Sequence, residues 1–263
     1  MTPARAIRLF LFPLLAVSAV APLGLLLLAS VGRGWFAPAL LPPSVTLESW
    51  REVLGGGRLG AAFLSSLALA LATGALSAAA GVLLGRALAG LNGWRRHLAD
   101  AAAFLPVAVP PIGLGVGLQV SVLALGLGGS FAGVLLCHLI PAAGYVTLYF
   151  LSVFAVFDAR VEEEARTLGA TRFEVLRRIT LPLLRRPLTE AFLLGFLVSW
   201  AQMALTLLIG GGRIRTLPLE VFAYLQAGQD RYAATGALLL IVPPLLTIGL
   251  VKLAAGRAEA LPV

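Results

Sequence analysis

The chain has 263 residues, of which 59% are hydrophobic and only 12% are charged, and its formal net charge is +8. Its mean hydropathy of +0.96 is far above that of soluble globular domains. The positive charge could favour nucleic acid, but the basic residues crowd at the ends of apolar runs, which is the usual signal of membrane topology. Composition therefore excludes a soluble domain, argues against nucleic-acid binding and predicts an integral membrane protein.

Uncharged stretches of about 20 residues, enough for a helix to cross about 30 Å of hydrocarbon, recur along the chain. The first follows Arg5 and Arg8, and its apolar run continues through Leu28, so we predict an uncleaved span. Ala19-Val20-Ala21 leaves a cleaved signal peptide as the alternative. We predict a single transmembrane domain over 1–263, an all-α fold with six membrane-spanning helices at about 9–31, 59–85, 101–125, 131–157, 188–210 and 233–251.

The run from Ala101 to Phe157 contains no Asp, Glu, Lys or Arg, which is long enough for two helices. Residues 126–130, rich in glycine, predict the turn between them. Prolines and glycines interrupt the first helix, and unwound backbone at membrane depth is tolerated where it lines a cavity. Close helix packing is the alternative role for the glycines. The residues concerned are Pro106, Pro110, Pro111, Gly113, Gly115 and Gly117, and Gln119 is the lone strongly polar side chain among them.

A charged, arginine-rich segment separates the fourth and fifth predicted spans. Asp158 can cap a short helix whose first turns are acidic, which is favourable near the positive end of the helix dipole. Gly169 suits the left-handed turn that ends a helix. Thr171 and Glu174 stand at capping-box spacing, so a second short helix is predicted to start there and to end at Pro182. The pattern indicates helix, turn and helix facing a soluble partner; a basic loop attracted to anionic lipid is the alternative.

The same segment contains Glu163, Glu164, Ala165 and Gly169, followed after nine residues by Ile179, Leu181 and Pro182. This spacing resembles the EAA loop of the membrane subunits of ABC importers, whose pattern is E-A-A, three residues, G, nine residues, I-x-L-P. The one departure is Glu164, where the family usually has Ala. The resemblance implies a type I ABC importer permease fold, in which residues 158–187 form a cytoplasmic coupling helix that docks on the ATPase subunit. The residues it assigns to this coupling are Glu163, Glu164, Ala165, Gly169, Ala170, Ile179, Leu181 and Pro182.

Polar and aromatic residues near the middle of the fifth predicted span resemble the family's central gate and substrate-facing positions. Interhelical hydrogen bonding is their alternative role. The predicted translocation pathway comprises Gln119, Trp200, Gln202 and Thr206, with Ser199 beside them. The segment from Ser199 to Leu217 most resembles the branch that serves polyamines, iron(III), thiamine, phosphonates and sulfate. That resemblance implies a small solute and favours thiamine or a polyamine.

Orientation follows from the basic residues. With a cytoplasmic N-terminus, fourteen basic residues lie inside and six outside, as the positive-inside rule requires. Both termini and the arginine-rich segment then lie in the cytoplasm, and the chain is expected in the inner membrane of a prokaryote. The resemblance implies three partners: a dimer of ABC ATPase subunits, a second permease subunit of the same or a similar chain, and a periplasmic or lipid-anchored solute-binding protein.

Catalytic chemistry has little support in this sequence. A P-loop needs a lysine preceded by glycine, and Lys252, the only lysine, follows Val251. We therefore expect ATP and Mg to be bound by the partner ATPase, and no catalytic residue, metal or cofactor in this chain. For His138 a packing role and a proton relay are both open, with packing favoured, and Glu190 is expected to pair with Arg185 or Arg186. A membrane scaffold and an autonomous secondary transporter are the alternative functions.

Overall fold

A computed structural model describes residues 3–36 and 38–259, most of them helical. Four of the fourteen basic residues predicted to lie inside, Arg5, Arg8, Lys252 and Arg257, fall outside the described side chains. The two ends of the predicted domain 1–263 also lie outside the described residues. In chain order the elements are α1 (Pro3–Val31), β1 (Gly32–Arg33), β2 (Ser44–Val45), α2 (Glu48–Leu54), α3 (Arg58–Ala89), α4 (Trp94–Ala108), α5 (Pro111–Ala124), α6 (Phe131–Val156), α7 (Arg160–Thr167), α8 (Arg172–Val175), a π-helical turn (Leu176–Thr180), α9 (Leu181–Trp200), α10 (Ala204–Ile209), α11 (Leu217–Gln226) and α12 (Asp230–Glu259).

Three of the described helices are long and apolar enough to cross a membrane: Arg58–Ala89, Phe131–Val156 and Asp230–Gly249. The pair α4 and α5 adds a fourth if this bent pair is counted as one span. Within the first predicted span, the apolar helix Val20–Val31 is shorter than the helices that could cross a membrane. The all-α membrane fold is thus confirmed, while the count of six spans stays a prediction.

The third predicted span is broken at its prolines. Helices α4 and α5 are bent by 101° around Val109, which is extended at φ −72° and ψ 128°, and Pro110 at φ −54° and ψ 137°. Both residues precede a proline, whose ring disfavours the helical conformation for the residue before it. Pro106, the first of the prolines that predicted the break, lies inside α4. The break therefore begins three residues later, at Val109.

The predicted turn between α5 and α6 is confirmed at residues 125–130. Gly126 and Gly129 both have φ +69°, a conformation that favours glycine. Ser130 then caps α6, since its hydroxyl accepts a hydrogen bond of 3.0 Å from the backbone N–H of Gly133.

The described residues divide into two compact units. The smaller unit contains the described residues within 1–64 and 216–245. In it an ion pair of 2.9 Å joins Arg58 to Glu220. A hydrogen bond of 2.9 Å joins the Thr235 and Ser49 hydroxyls in the same unit. The other unit takes the described residues within 65–215 and 246–263. That larger unit contains the arginine-rich segment and the predicted pathway residues.

Close helix contacts build the core of the larger unit. A side chain at Gly85 of α3 would overlap the Cβ atom of Phe150 of α6, and one at Gly74 would lie 2.8 Å from the carbonyl oxygen of Phe192 of α9. Such glycines let helix backbones approach closely. The single cysteine, Cys137, lies in a buried apolar cluster with Leu69, Val122, Val134, Leu205 and Ile209. It acts there as a small packing group.

Candidate functional site

The arginine-rich segment folds as two short helices joined by a glycine turn. The Asp158 carboxylate accepts a hydrogen bond of 3.0 Å from the N–H of Arg160, the first residue of α7. Gly169 ends this helix at φ +93°, and the N–H of Ala170 donates to the carbonyl of Ala165 at 3.0 Å. A residue other than glycine is strained at that φ, so the predicted role of Gly169 in the turn is confirmed.

A complete capping box starts α8, as its spacing predicts. The N–H of Thr171 donates to the Glu174 carboxylate at 2.9 Å, and the N–H of Glu174 donates to the Thr171 hydroxyl at 3.3 Å. These bonds, the backbone one foremost, hold the pKa of the Glu174 carboxyl below its ordinary value. Two backbone donors at the start of the helix are thereby satisfied within four residues.

The prediction that Pro182 ends the second helix is wrong. The chain stays helical from Arg172 to Trp200, through α8, the π-helical turn and α9. Pro182 lies in the first turn of α9, where its missing N–H leaves no required bond unmade. The π turn makes this possible, since its last bond runs from the N–H of Leu181 to the carbonyl of Leu176. The segment is therefore continuous with the next long helix.

A partly buried ion pair ties the first short helix to the rest of the unit. The guanidinium of Arg86, near the end of α3, donates to both carboxylate oxygens of Glu162, one of these bonds measuring 3.0 Å. The Thr180 hydroxyl of the π turn donates to the same carboxylate at 2.6 Å. Glu162 is only 8% exposed, and its bond to Arg86 is the main reason that its carboxyl pKa lies below the ordinary value.

Sequence reasoning missed this link. Glu162, Glu163 and Glu164 are adjacent and identical, but only Glu162 is buried, while the other two are exposed. The 3.6-residue period of α7 points Glu162 inward. That periodicity, together with Arg86 at the end of an apolar span, was the signal available in the sequence.

Four of the eight predicted coupling residues line an opening between the short helices, and the other four do not. Gly169, Ala170 and Ile179 line a common opening of about 300 Å³ beside the exposed side chain of Leu168. Glu163 lines a second opening, described below. The remaining coupling residues line neither of these openings: Glu164 is exposed and Ala165 half-buried on α7, and Leu181 and Pro182 are exposed at the start of α9.

The fifth predicted span is interrupted at residues 201–203, between α9 and α10. His138 of α6 is fully buried beside this break. Its Nδ1 atom lies 2.8 Å from the hydroxyl of Ser199, before the break, and its Nε2 atom 3.0 Å from the hydroxyl of Thr206, after it. Both ring nitrogens are thus engaged, which supports the packing role for His138. The imidazole also fixes one side of the break relative to the other.

Of the four predicted pathway residues, Gln202 lines an opening of about 310 Å³ where the two broken helices meet Pro141 and Tyr145 of α6. The other three make helix contacts. Trp200 is buried and stacks on Phe196 at 5.9 Å. Thr206 is buried against His138, and the side-chain amide of Gln119 donates to the carbonyl of Leu208 at 3.4 Å.

The glycines of α5 were given two alternative roles, lining a cavity and close helix packing, and the structure distinguishes these glycines by position. A side chain at Gly115 would lie 2.6 Å from the Leu208 side chain of α10, so this glycine serves close packing. Gly113 has one neighbouring atom, on Val109 at 3.9 Å, and Gly117 has none within 4 Å. Packing therefore explains Gly115 and leaves Gly113 and Gly117 without that role.

Glu190 has the partner expected of it. Its carboxylate accepts a bond of 3.0 Å from Arg186 on the same helix. A second bond, of 2.5 Å, comes from the phenol of Tyr149 on α6. The pair therefore also joins α9 to α6.

The broken, apolar helices and the segment that separates α6 from α9 are those of a membrane permease subunit. The family model described as "Binding-protein-dependent transport system inner membrane component" matches residues 78–259. The chain therefore belongs to that family, which confirms the resemblance stated above. The matched range includes the whole arginine-rich segment.

Several relatives are permease proteins. The chain is 32% identical over 152 residues to the inner membrane ABC transporter permease protein YnjC of Escherichia coli (strain K12), covering 58% of this chain and 30% of YnjC. It is 29% identical over 150 residues to the spermidine/putrescine transport system permease protein PotC of Haemophilus influenzae, covering 57% and 58%. It therefore spans less than two thirds of these two relatives. PhnV of Salmonella typhimurium (strain LT2), a permease protein named for a 2-aminoethylphosphonate transport system, is 27% identical over 229 residues, covering 86% and 84%.

Solved structures share the fold. A bacterial ABC transporter involved in the import of the acidic polysaccharide alginate has a chain with a TM-score of 0.68 at 17% identity, covering 94% of each chain. The bacterial alginate ABC transporter in complex with an alginate pentasaccharide-bound periplasmic protein gives 0.67 at 14% identity, covering 98% of each. At these identities the likeness shows the fold alone.

Proposed function

We propose that this chain is the transmembrane permease subunit of an ATP-binding-cassette importer and forms half of the translocation pathway for a small solute delivered by a binding protein. The observation that carries the proposal is the arginine-rich segment: an exposed helix, glycine turn and helix, anchored from within by Arg86, Glu162 and Thr180. An exposed face suits a soluble partner, and a buried anchor lets movement of that face reach α3 and α9.

The partners follow from this role. An ATPase dimer binds ATP and Mg and docks on the coupling loop 158–187, while a second permease subunit, the same or similar, completes the pathway. A periplasmic or lipid-anchored binding protein delivers the solute to the opposite face. Closure of the ATPase dimer displaces α7, and the ion pair and the continuous helix from Arg172 to Trp200 carry that displacement toward the break at residues 201–203. Both termini and the loop lie in the cytoplasm in this arrangement.

For the solute we propose thiamine or a polyamine, with iron(III), phosphonate and sulfate as the other members of the resembled branch. The names of PotC and PhnV support the polyamine and phosphonate members. Within the opening at Gln202, the lining side chains include a phenol and an amide and no charged group. Ligand binding by the purified binding protein, screened against these solutes, tests the assignment.

The permease role is tested by affinity purification of the tagged chain from its native membrane in mild detergent. Wild type should recover a P-loop ATPase, and Gly169→Glu should lose it while inserting normally. An added Cβ at Gly169 meets no atom within 4 Å, so the new side chain extends over the docking surface, and the φ of +93° strains the turn.

Gly93→Glu is the matched control. Gly93 also has a positive φ, of +61°, and open space around it, but it lies between α3 and α4. The Gly93→Glu variant should retain the ATPase. The coupling-loop assignment would be contradicted if the wild-type chain were purified without an ATPase. It would also be contradicted if Gly169→Glu and Gly93→Glu lost the ATPase equally. A bound ATPase whose activity never responds to a loaded binding protein would instead indicate a membrane scaffold.

A further inference from the structure

Two adjoining openings lie between the short helices of the coupling loop. The first, of about 560 Å³, is lined by Glu163, Arg166, Thr167, Ala170, Thr171 and Arg172. The second, of about 240 Å³, extends inward to Arg86, Glu162 and Thr180. Arg166 and Arg172 line both openings. The two arginines therefore border both openings, which together are called the recess.

The recess carries more positive than negative side chains. Both oxygens of the Glu162 carboxylate are already taken by Arg86 and Thr180. Arg166 and Arg172 are exposed, and within the described part of the chain neither forms an ion pair. Arg166 also acts electrostatically on Glu162, and Glu163 is the other acidic residue of the recess. Three arginines therefore face two carboxylates.

The recess is held in a defined shape. Arg166 lies in the last turn of α7, and Arg172 is the first residue of α8, directly after the capping residue Thr171. The Gly169 turn sets the two helices against each other, and the short side chains of Ala170 and Thr171 leave the space between them open. Guanidinium groups bind carboxylates with two parallel hydrogen bonds, so a preset pair of arginines suits an acidic side chain.

We propose that Arg166 and Arg172 together receive an acidic side chain of the ATPase subunit, which inserts into this recess when the coupling loop docks. This rests on the proposed function and adds the chemistry of the contact. The inserted carboxylate lies next to the Arg86 and Glu162 pair, so the ATPase pushes directly on the part of the loop that is anchored to α3.

The experiment uses the full-length chain in nanodiscs and the P-loop ATPase identified by the purification above. Arg166→Glu and Arg172→Glu should each weaken ATPase binding about tenfold or more, since a like charge then faces the inserted carboxylate. Arg177→Glu is the matched control, because Arg177 is exposed on the same segment and lines neither opening. It should change the affinity by about twofold at most, as charges at the edge of an interface do. Raising the salt concentration should weaken wild type more than the double variant Arg166→Gln, Arg172→Gln.

A photo-crosslinking amino acid at Thr167 identifies what enters the recess. The adduct should map to a segment of the ATPase that contains Asp or Glu, and replacing that acid by Arg should restore binding to Arg166→Glu. Equal losses in all three arginine variants would overturn the inference and leave the permease role intact. The inference would also be overturned if Arg166 and Arg172 were required for binding to anionic-lipid vesicles but not for affinity toward the ATPase. Failure of the wild-type chain to bind any ATPase would overturn the proposed function itself.

Discussion

The guanidinium of Arg86 and the carboxylate of Glu162, which are 76 residues apart in sequence, join α3 to α7. Glu162 is nearly buried, while the Arg86 side chain is about half exposed, at 49%. Two parallel bonds between planar groups fix direction as well as distance. The Thr180 hydroxyl extends the link to the π turn. The end of α3, the start of α7 and the helix that continues into α9 are thereby held at a single carboxylate.

Glu162→Gln should uncouple ATP hydrolysis from transport and destabilise the subunit by about 1–2 kcal/mol, between the values for exposed and buried ion pairs. The amide keeps the shape but cannot accept two charged bonds. Thermal unfolding in detergent gives the stability, and stimulation of the ATPase by loaded binding protein gives the coupling. Glu163→Gln removes the same charge from an exposed neighbour and should leave stability unchanged. Equal losses of stability in the two variants would refute the special role of Glu162.

The contribution of Glu162 should depend on pH in one direction. Its folded-state pKa lies below the ordinary value of 4.5, chiefly because of Arg86. A depressed pKa stabilises the fold fully above the unfolded value, and that stabilisation is lost as pH falls through the folded value. The difference in melting temperature between wild type and Glu162→Gln should therefore be constant near neutral pH and shrink below about pH 4.5. A difference that grew on acidification would contradict this assignment.

Thr171→Ala should loosen the start of α8 without unfolding the subunit. Loss of an N-cap side chain costs about 1 kcal/mol, which raises local opening about fivefold. Amide hydrogen exchange at Glu174 and Val175 measures that opening. Thr167→Ala provides the comparison, because the Thr167 hydroxyl donates to the carbonyl of Glu164 and caps no helix start. Protection at Glu174 that survived Thr171→Ala would mean that the capping box is dispensable.

His138→Phe should destabilise the subunit by about 1–2 kcal/mol, the sum expected for two hydrogen bonds between membrane helices. It should also loosen the connection between α9 and α10, because Ser199 and Thr206 lose their shared partner. Distances between spin labels placed on the two helices report this directly, and their distribution should broaden. His97→Phe, at an exposed position of α4, should leave both stability and distances as in wild type.

Gly85→Ala and Gly117→Ala should have opposite effects, although each adds one methyl group within a helix. The new methyl at Gly85 would overlap Phe150, so α3 and α6 must separate, at about 1–3 kcal/mol. The methyl at Gly117 meets nothing within 4 Å, so the better helix propensity of alanine leaves stability equal or improved by up to about 1 kcal/mol. Melting temperatures of the two variants in the same detergent decide the matter.

Features that depend on neighbouring residues were predictable from the sequence. The capping box of Thr171 and Glu174, the positive φ of Gly169 and the break around Pro110 each follow from sterics or hydrogen bonds within a few residues. The membrane class followed from composition, because lipid accepts long uncharged helices. Pro182 shows the limit of local rules, since the helix continues through this proline after a π turn.

Contacts between distant residues were decided by the tertiary structure alone. Three consecutive glutamates are chemically equal in the sequence, and only the packing of α7 against α3 selects Glu162 to pair with Arg86. His138 likewise gained Ser199 and Thr206 as partners because α6 packs along a broken helix some 61 to 68 residues away. Local chemistry sets which helices form and where they end. Which side chains meet depends on how those helices pack, because each buried polar group must find its partner wherever the fold places one.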